Sequence, residues 1–209
     1  MLFSKLSKTA KERAVRDFKE SGYIDEIFME DARFNYIDPL VSDLADYGIN
    51  IETDARDRPL VRWDLSFSQG SGLCFTTDAF EPWKYIKKTG QSKRYAPLTS
   101  LFKSLEKKNE RCEVIGNIYR SSHFYNHENT VSLNTEINLG STPKAERASE
   151  LAEDVLQEIF EFCQNKMKDT HRKMEEEYLD QMSEGNVISI IEDVGFEYDK
   201  NGKRLKEKR

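Results

Sequence analysis

Apolar residues recur along this chain at two periods, near four and near two, and the change of period divides it into regions. Leu6, Ala10, Ala14 and Phe18 fall every four residues, which predicts one face of a helix that Gly22 is placed to stop. Ile24, Ile27 and Phe28 begin a second helical stretch. Pro39 has no N–H and its ring collides with the preceding turn, so a break is expected near Asp38. A new helix then runs through Leu40, Val41, Leu44 and Tyr47 and ends at Gly48. From Val61 the period drops to two. Val61, Trp63, Leu65 and Phe67 alternate with Arg62, Asp64 and Ser66, the pattern of a strand with one wet face. Leu73, Cys74 and Phe75 resume the extended run beyond Ser68-Gln69-Gly70-Ser71-Gly72, which predicts a hairpin.

Pro82 suits the first turn of a short helix over 81–90, and Pro97 opens another carrying Leu98, Leu101, Phe102 and Leu105. Val114 to Tyr119 reads as a strand, and Val131, Leu133, Ile137 and Leu139 mark a further one, with an aromatic turn between them. Thr142 is an N-cap and Pro143 a first helical residue for the longest helix, whose stripe is Ala148, Leu151, Ala152, Val155, Ile159, Phe162, Cys163 and Met167. Past Asn165 charge dominates and the stripe thins to Met167, Met174 and Tyr178, which predicts a solvated helix, a protruding arm or a homodimer contact. A short helix through Val187 to Ile191 and a tight turn at Asp199 to Gly202 follow, then a basic tail from Lys203 expected to fray.

The expected fold is therefore a single α+β domain over 1–209. It has a helical part (1–48), a region mainly of sheet with two inserted helices (49–139), a long helix (142–183) and a short helix with a hairpin or tail (184–209). The strands are expected in one antiparallel sheet of about four to five strands packed against helices.

Composition narrows the setting. Aromatic residues make up 11% of the 209, enough apolar area for a core despite 33% charged residues. The net charge of -6 weighs against non-specific nucleic-acid binding. Cys74, Cys112 and Cys163 are odd in number and lack CxxC spacing, which argues against a disulfide framework or zinc ribbon and predicts reduced thiols in a cytoplasm. No apolar run approaches the roughly 20 residues of a membrane span, and Met1 to Lys5 lacks a signal-peptide stretch.

Candidate chemistry is confined to a few places. Ser68, Gln69, Gly70, Ser71 and Gly72 form a loop whose glycines either expose backbone N–H groups to an anion or partner, or supply positive φ angles to a hairpin. Without a following helix or a Lys, the loop is neither a P-loop nor a dinucleotide fingerprint. His123, Tyr125 and His127, with Glu128 beside them, form a His-rich turn that reads as a surface turn or as part of a metal site. Cys74 with either histidine would make a nucleophile pair, although a strand cysteine is ordinarily a small core residue. Trp83, Lys84, Tyr85, Lys87, Lys88, Lys93, Arg94 and Tyr95 interleave cations with aromatics, as single-strand binders do and as solvated helix surfaces also do.

Lys11-Glu12-Arg13-Ala14, Tyr47-Gly48-Ile49-Asn50-Ile51-Glu52, Phe67 to Phe75, the His123 turn, the helix from Pro143 and the segment Phe196 to Arg204 occur in an order that resembles a group of small phage and prophage proteins. Their shared mark is a Ser-Gln-Gly-x-Gly hairpin, and they are often labelled antitoxins of toxin–antitoxin stability systems. Ser71 and Leu73 stand where that group has Asp and Ala, so the carboxylate of its motif is missing here. The resemblance implies a phage-encoded accessory protein acting on a host protein or defence system. Because the residues show no strong catalytic constellation, the leading expectation is a non-catalytic binding protein in the host cytoplasm, with no cofactor and no catalytic residue. The alternatives are a metal-assisted or acid–base hydrolase acting on a nucleotide through His123, His127 and Glu128, a nucleotide sponge, and a nucleic-acid-binding module.

Overall fold

A computed structural model describes residues 1–66, 68, 70–108 and 112–205, apart from the side chain of Glu106. In chain order the main elements are α1 (Lys8–Lys19), α2 (Tyr23–Ala32), α3 (Asp38–Asp46), β1 (Val61–Asp64), β2 (Gly72–Phe75), α4 (Pro82–Lys88), α5 (Ala96–Lys107), β3 (Glu113–Arg120), β4 (Val131–Asn138), α6 (Pro143–Gln181) and α7 (Glu184–Val194). Among the described residues no helix is long and apolar enough to cross a membrane. The chain forms two compact units, one of Met1–Asn35 with Lys173–Arg209 and one of Tyr36–Arg172.

The first unit gathers the chain ends. Phe3, Leu6, Ala10, Ala14, Phe18 and Ile24 bury against Val187, Ile191, Phe196 and Tyr198. Ser7 caps α1 by accepting the Ala10 N–H, and Ser183 does the same for α7 with Asn186. The Met1 ammonium donates to the Tyr198 carbonyl at 2.7 Å, and the Tyr198 N–H returns a bond to Met1 at 2.8 Å. The turn expected at Asp199 to Gly202 is present, with the Asp199 carboxylate accepting from the N–H groups of Asn201 and Lys203. Of the basic tail expected to fray, Arg204 and Leu205 are held, and residues 206–209 lie outside the described residues. Arg204 bridges to Tyr198 and lies 3.5 Å over the Phe196 ring, and the Leu205 N–H donates to Glu197. Tyr178 donates to Asp25 at 2.6 Å, and burial together with that carboxylate pushes its phenol up to about 12.

The second unit carries the strands. β1 and β2 form a hairpin, antiparallel with Val61 opposite Phe75 and Asp64 opposite Gly72, but the first strand, expected from Val61 to Phe67, ends at Asp64; Leu65 and Ser66 lie beyond it, and Phe67 is outside the described residues. β3 and β4 pair antiparallel from Glu113–Asn138 to Arg120–Val131. These are two separate two-stranded sheets, not one sheet of four to five strands. The reason lies just after β2. There the backbone turns to pair with 50–52 through Glu52 and Asp78, and only Thr77 and Phe80 donate to β3, at Ile118 and Gly116. The Ile118 N–H is taken by the Thr77 hydroxyl at 2.9 Å rather than by a ladder carbonyl. A side chain thus substitutes for the rung that would have merged the sheets.

Helix α6 starts where predicted, with the Thr142 hydroxyl accepting the Ala145 N–H. Ala152, Val155, Leu156, Ile159 and Cys163 are fully buried, and Leu156 sits on Gly116 of β3 beside Phe80. Two further expectations are corrected. The chain does not break at Asp38 but passes through a π-helical turn, Arg33–Ile37, which widens the coil before Pro39 takes a first-turn position where its missing N–H has no helical partner to lose. The charged half of α6 is not a bare arm either, because Met167 and Met174 have no exposed surface.

Candidate functional site

The glycine loop and the His-rich turn meet. The Asn126 N–H donates to the Gly70 carbonyl at 3.3 Å. Gly70 lies under the Tyr125 ring, so close that a Cβ would stand 2.8 Å from Cε1 and nearer still to Cδ1. Gly72 lies against His127, where a Cβ would stand 2.5 Å from the His127 Cα and 2.7 Å from the Asn126 carbonyl oxygen. The φ of Gly72 is outside the left-handed region, so the hairpin reading of this glycine as a source of positive φ is wrong. Glycine is required there because two backbones touch.

Each part of the turn is fixed from its own side. His127 Nδ1 accepts the Asn129 N–H at 3.2 Å, which places the ring proton on Nε2, and the imidazole stacks on Tyr125 with centroids 6.2 Å apart. The His127 carbonyl accepts the Thr130 hydroxyl at 2.6 Å. Arg120, at the end of β3, donates to the Tyr125 carbonyl and to Asn126 Oδ1 at 3.2 and 3.1 Å. In the glycine loop, the Ser71 N–H donates to the Ser68 carbonyl, the Gly70 N–H points to the Ser68 hydroxyl, and the Ser66 and Ser68 hydroxyls bond each other at 2.8 Å below the Asp64 carboxylate.

Two side chains of α6 hold the pair of loops from behind. His171 is nearly buried, and its Nε2 lies 2.9 Å from the Asp64 carbonyl. A carbonyl only accepts, so Nε2 carries the proton. The Ser71 hydroxyl donates to the same carbonyl at 2.6 Å. Seven residues earlier, Gln164 donates to the Glu128 carbonyl at 3.0 Å. A spacing of seven is about two helical turns, which puts both residues on one face. Neither was singled out in the sequence. The available signal was that His171 falls between Met167 and Met174 on the thinning apolar stripe, the position of an inward-facing residue.

What remains outside is aromatic and hydroxylic. Phe124 is 91% exposed, Tyr125 53% and the neighbouring Tyr119 46%. His123, Ser66 and Ser68 are exposed, while Gly70 and Gly72 are buried. Gln69 and Phe67 lie outside the described residues.

The competing chemistries find less support. Among the described residues no group of three or more His, Cys, Asp or Glu is placed to hold a metal ion, and His127 already spends Nδ1 on Asn129. Cys74 is buried in β2, where desolvation pushes its thiol up against the opposing pull of Thr130 and Arg120, the behaviour of a core thiol rather than a nucleophile. In the basic segment, Lys84 pairs with Glu81 at 2.7 Å, Lys88 with Asp46 at 2.9 Å, and Arg94 with Glu158 and Asp154. Tyr85 and Tyr95 are buried, so of the interleaved rings only Trp83 is left partly exposed, too few for a stacking platform along a strand.

The fold and site together define a mixed α/β domain whose candidate site is two loops locked to one another over a long helix. The chain belongs to the family described as a domain of unknown function, DUF8835, whose model matches residues 35–184, a span that includes both loops, Gln164 and His171. No curated protein and no solved structure matches it.

Proposed function

We propose that this chain is a non-catalytic binding protein, a phage- or prophage-encoded accessory factor that engages a host or defence-system protein through the joined loops. The observation that carries this reading is Phe124, 91% exposed at the tip of a turn held by Gly70, Arg120 and Gln164. Leaving a Phe in water forgoes about 2 kcal/mol of burial. An aromatic on a rigid turn loses little conformational freedom on binding, which is why such residues anchor protein interfaces. Tyr125 and Tyr119 extend the apolar area, and the serine hydroxyls supply a polar rim. The phage and anti-defence or antitoxin-like setting rests on the resemblance in the glycine motif and in the order of the segments. A hydrolase working through His127 would have to release Asn129 first, and a nucleotide sponge would have to turn loop amides that now point to Ser68.

The test is affinity capture from host lysate with the tagged wild type and with Phe124→Ala. A stoichiometric protein partner is expected on the wild type and at least ~30-fold weaker on the variant, the scale of an interface hot spot. The two proteins should melt alike, since an exposed side chain contributes little to stability. Recovery of no partner, or equal recovery by both, overturns the reading.

A further inference from the structure

A groove of about 710 Å³ lies between α4 and α5, and none of the joined-loop residues line it. Trp83 and Ile86 form one wall, Thr99 and Phe102 the other, and Lys87 and Lys103 stand at the rim. The spacing explains the arrangement: 83, 86 and 87 share a face of α4, and 99, 102 and 103 share a face of α5. The Trp83 and Phe102 rings contact each other at 4.7 Å between centroids, tilted by 48°, and make an aromatic floor.

The charges single this groove out. The chain carries a net -6, and Lys84, Lys88 and Arg94 nearby each have an acidic partner. Among the described residues Lys87 and Lys103 have none, and no carboxylate lines the groove. An apolar, aromatic floor with two uncommitted ammonium groups complements a molecule that has an apolar body and an anionic head. The volume suits a small molecule, and α4 has seven residues, only about 10 Å of helix, too short a wall to grip the several turns of an amphipathic peptide. We propose that this groove binds a small amphipathic anion, its ring or chain resting on Trp83 and Phe102 and its carboxylate, sulfonate or phosphate reached by Lys87 and Lys103.

Calorimetric titration with 1-naphthyl phosphate and with uncharged 1-naphthol tests this, alongside the Trp83 indole N–H resonance assigned by comparison with Trp63→Phe. Naphthyl phosphate is expected to shift that resonance and to bind at least ~10-fold tighter than naphthol, with the difference shrinking as salt rises. The exposed-site double variant Lys87→Glu/Lys103→Glu, checked for an unchanged melt, should lose that preference. An unmoved Trp83 signal at about 1 mM naphthyl phosphate, equal binding of the two ligands, or undiminished binding by the double variant overturns the proposal.

Discussion

Gly72→Ala is expected to destabilise the protein by about 3 kcal/mol, the upper range for forcing a methyl into a packed interior. The new Cβ would meet His127 at both Cβ and Cα and the carbonyl of Asn126, and two of these atoms belong to the backbone. Neither side has room to retreat. Leu73 and Cys74 after it are fully buried, and the opposing turn is tied by Arg120 and by Gln164 of α6. Gly116→Ala is the informative comparison. Its Cβ would meet Leu156 at 2.7 Å and Phe80 at 3.1 Å, both side-chain atoms rather than backbone, so a smaller cost of about 1 kcal/mol is expected. Urea unfolding measures both. A Gly72→Ala midpoint indistinguishable from wild type would mean the loops do not touch as described. The same variant should lose the partner that depends on Phe124, because a displaced turn no longer presents that ring.

The second large effect is expected in the other unit. Gly202 has φ +83° and its missing Cβ would run into the Ala10 carbonyl oxygen of α1, with the carbonyl carbon at 2.9 Å. Gly202→Ala therefore combines left-handed strain of about 1–2 kcal/mol with a clash against helix backbone, and about 3 kcal/mol or more in total is expected. Gly140 isolates the two causes. Its φ is +86° with nothing within 4 Å, so Gly140→Ala should show the strain alone, about 1 kcal/mol. Thermal denaturation of the two variants gives the difference. Equal losses would remove the contact between the C-terminal turn and α1 from the account.

Much of the local structure was legible because it depends on neighbours in sequence. The alternation Val61-Trp63, the turn residues at 68–72, the Thr142-Pro143 helix start and the Asp199–Gly202 turn each carry their own signal, and each element is present. The errors arise where a distant partner decides. Whether β2 and β3 merge depends on a Thr77 hydroxyl taking one N–H of Ile118, which no periodicity records. The role of Gly72 was misread because the pressure on it comes from His127, fifty-five positions away in sequence and visible only in the folded chain. Met167 and Met174 stand on the apolar stripe in the sequence, but the burial of His171 between them is masked by the charged residues on either side of it. Of the candidate residues, Gly70, Gly72, Tyr125 and His127 prove to be mutual packing partners, and the most exposed ring on the turn they fix is that of Phe124, whose exposure no local pattern records.

The union of the two loops is what the proposed interface stands on, and nuclear Overhauser contacts report it directly. Strong cross-peaks are expected from the Gly70 Hα protons to the Tyr125 ring and from the Gly72 Hα protons to His127 Hβ. Their absence, in spectra that still show the cross-strand contacts of Trp63 with Leu73 and of Ile118 with Leu133, would contradict it.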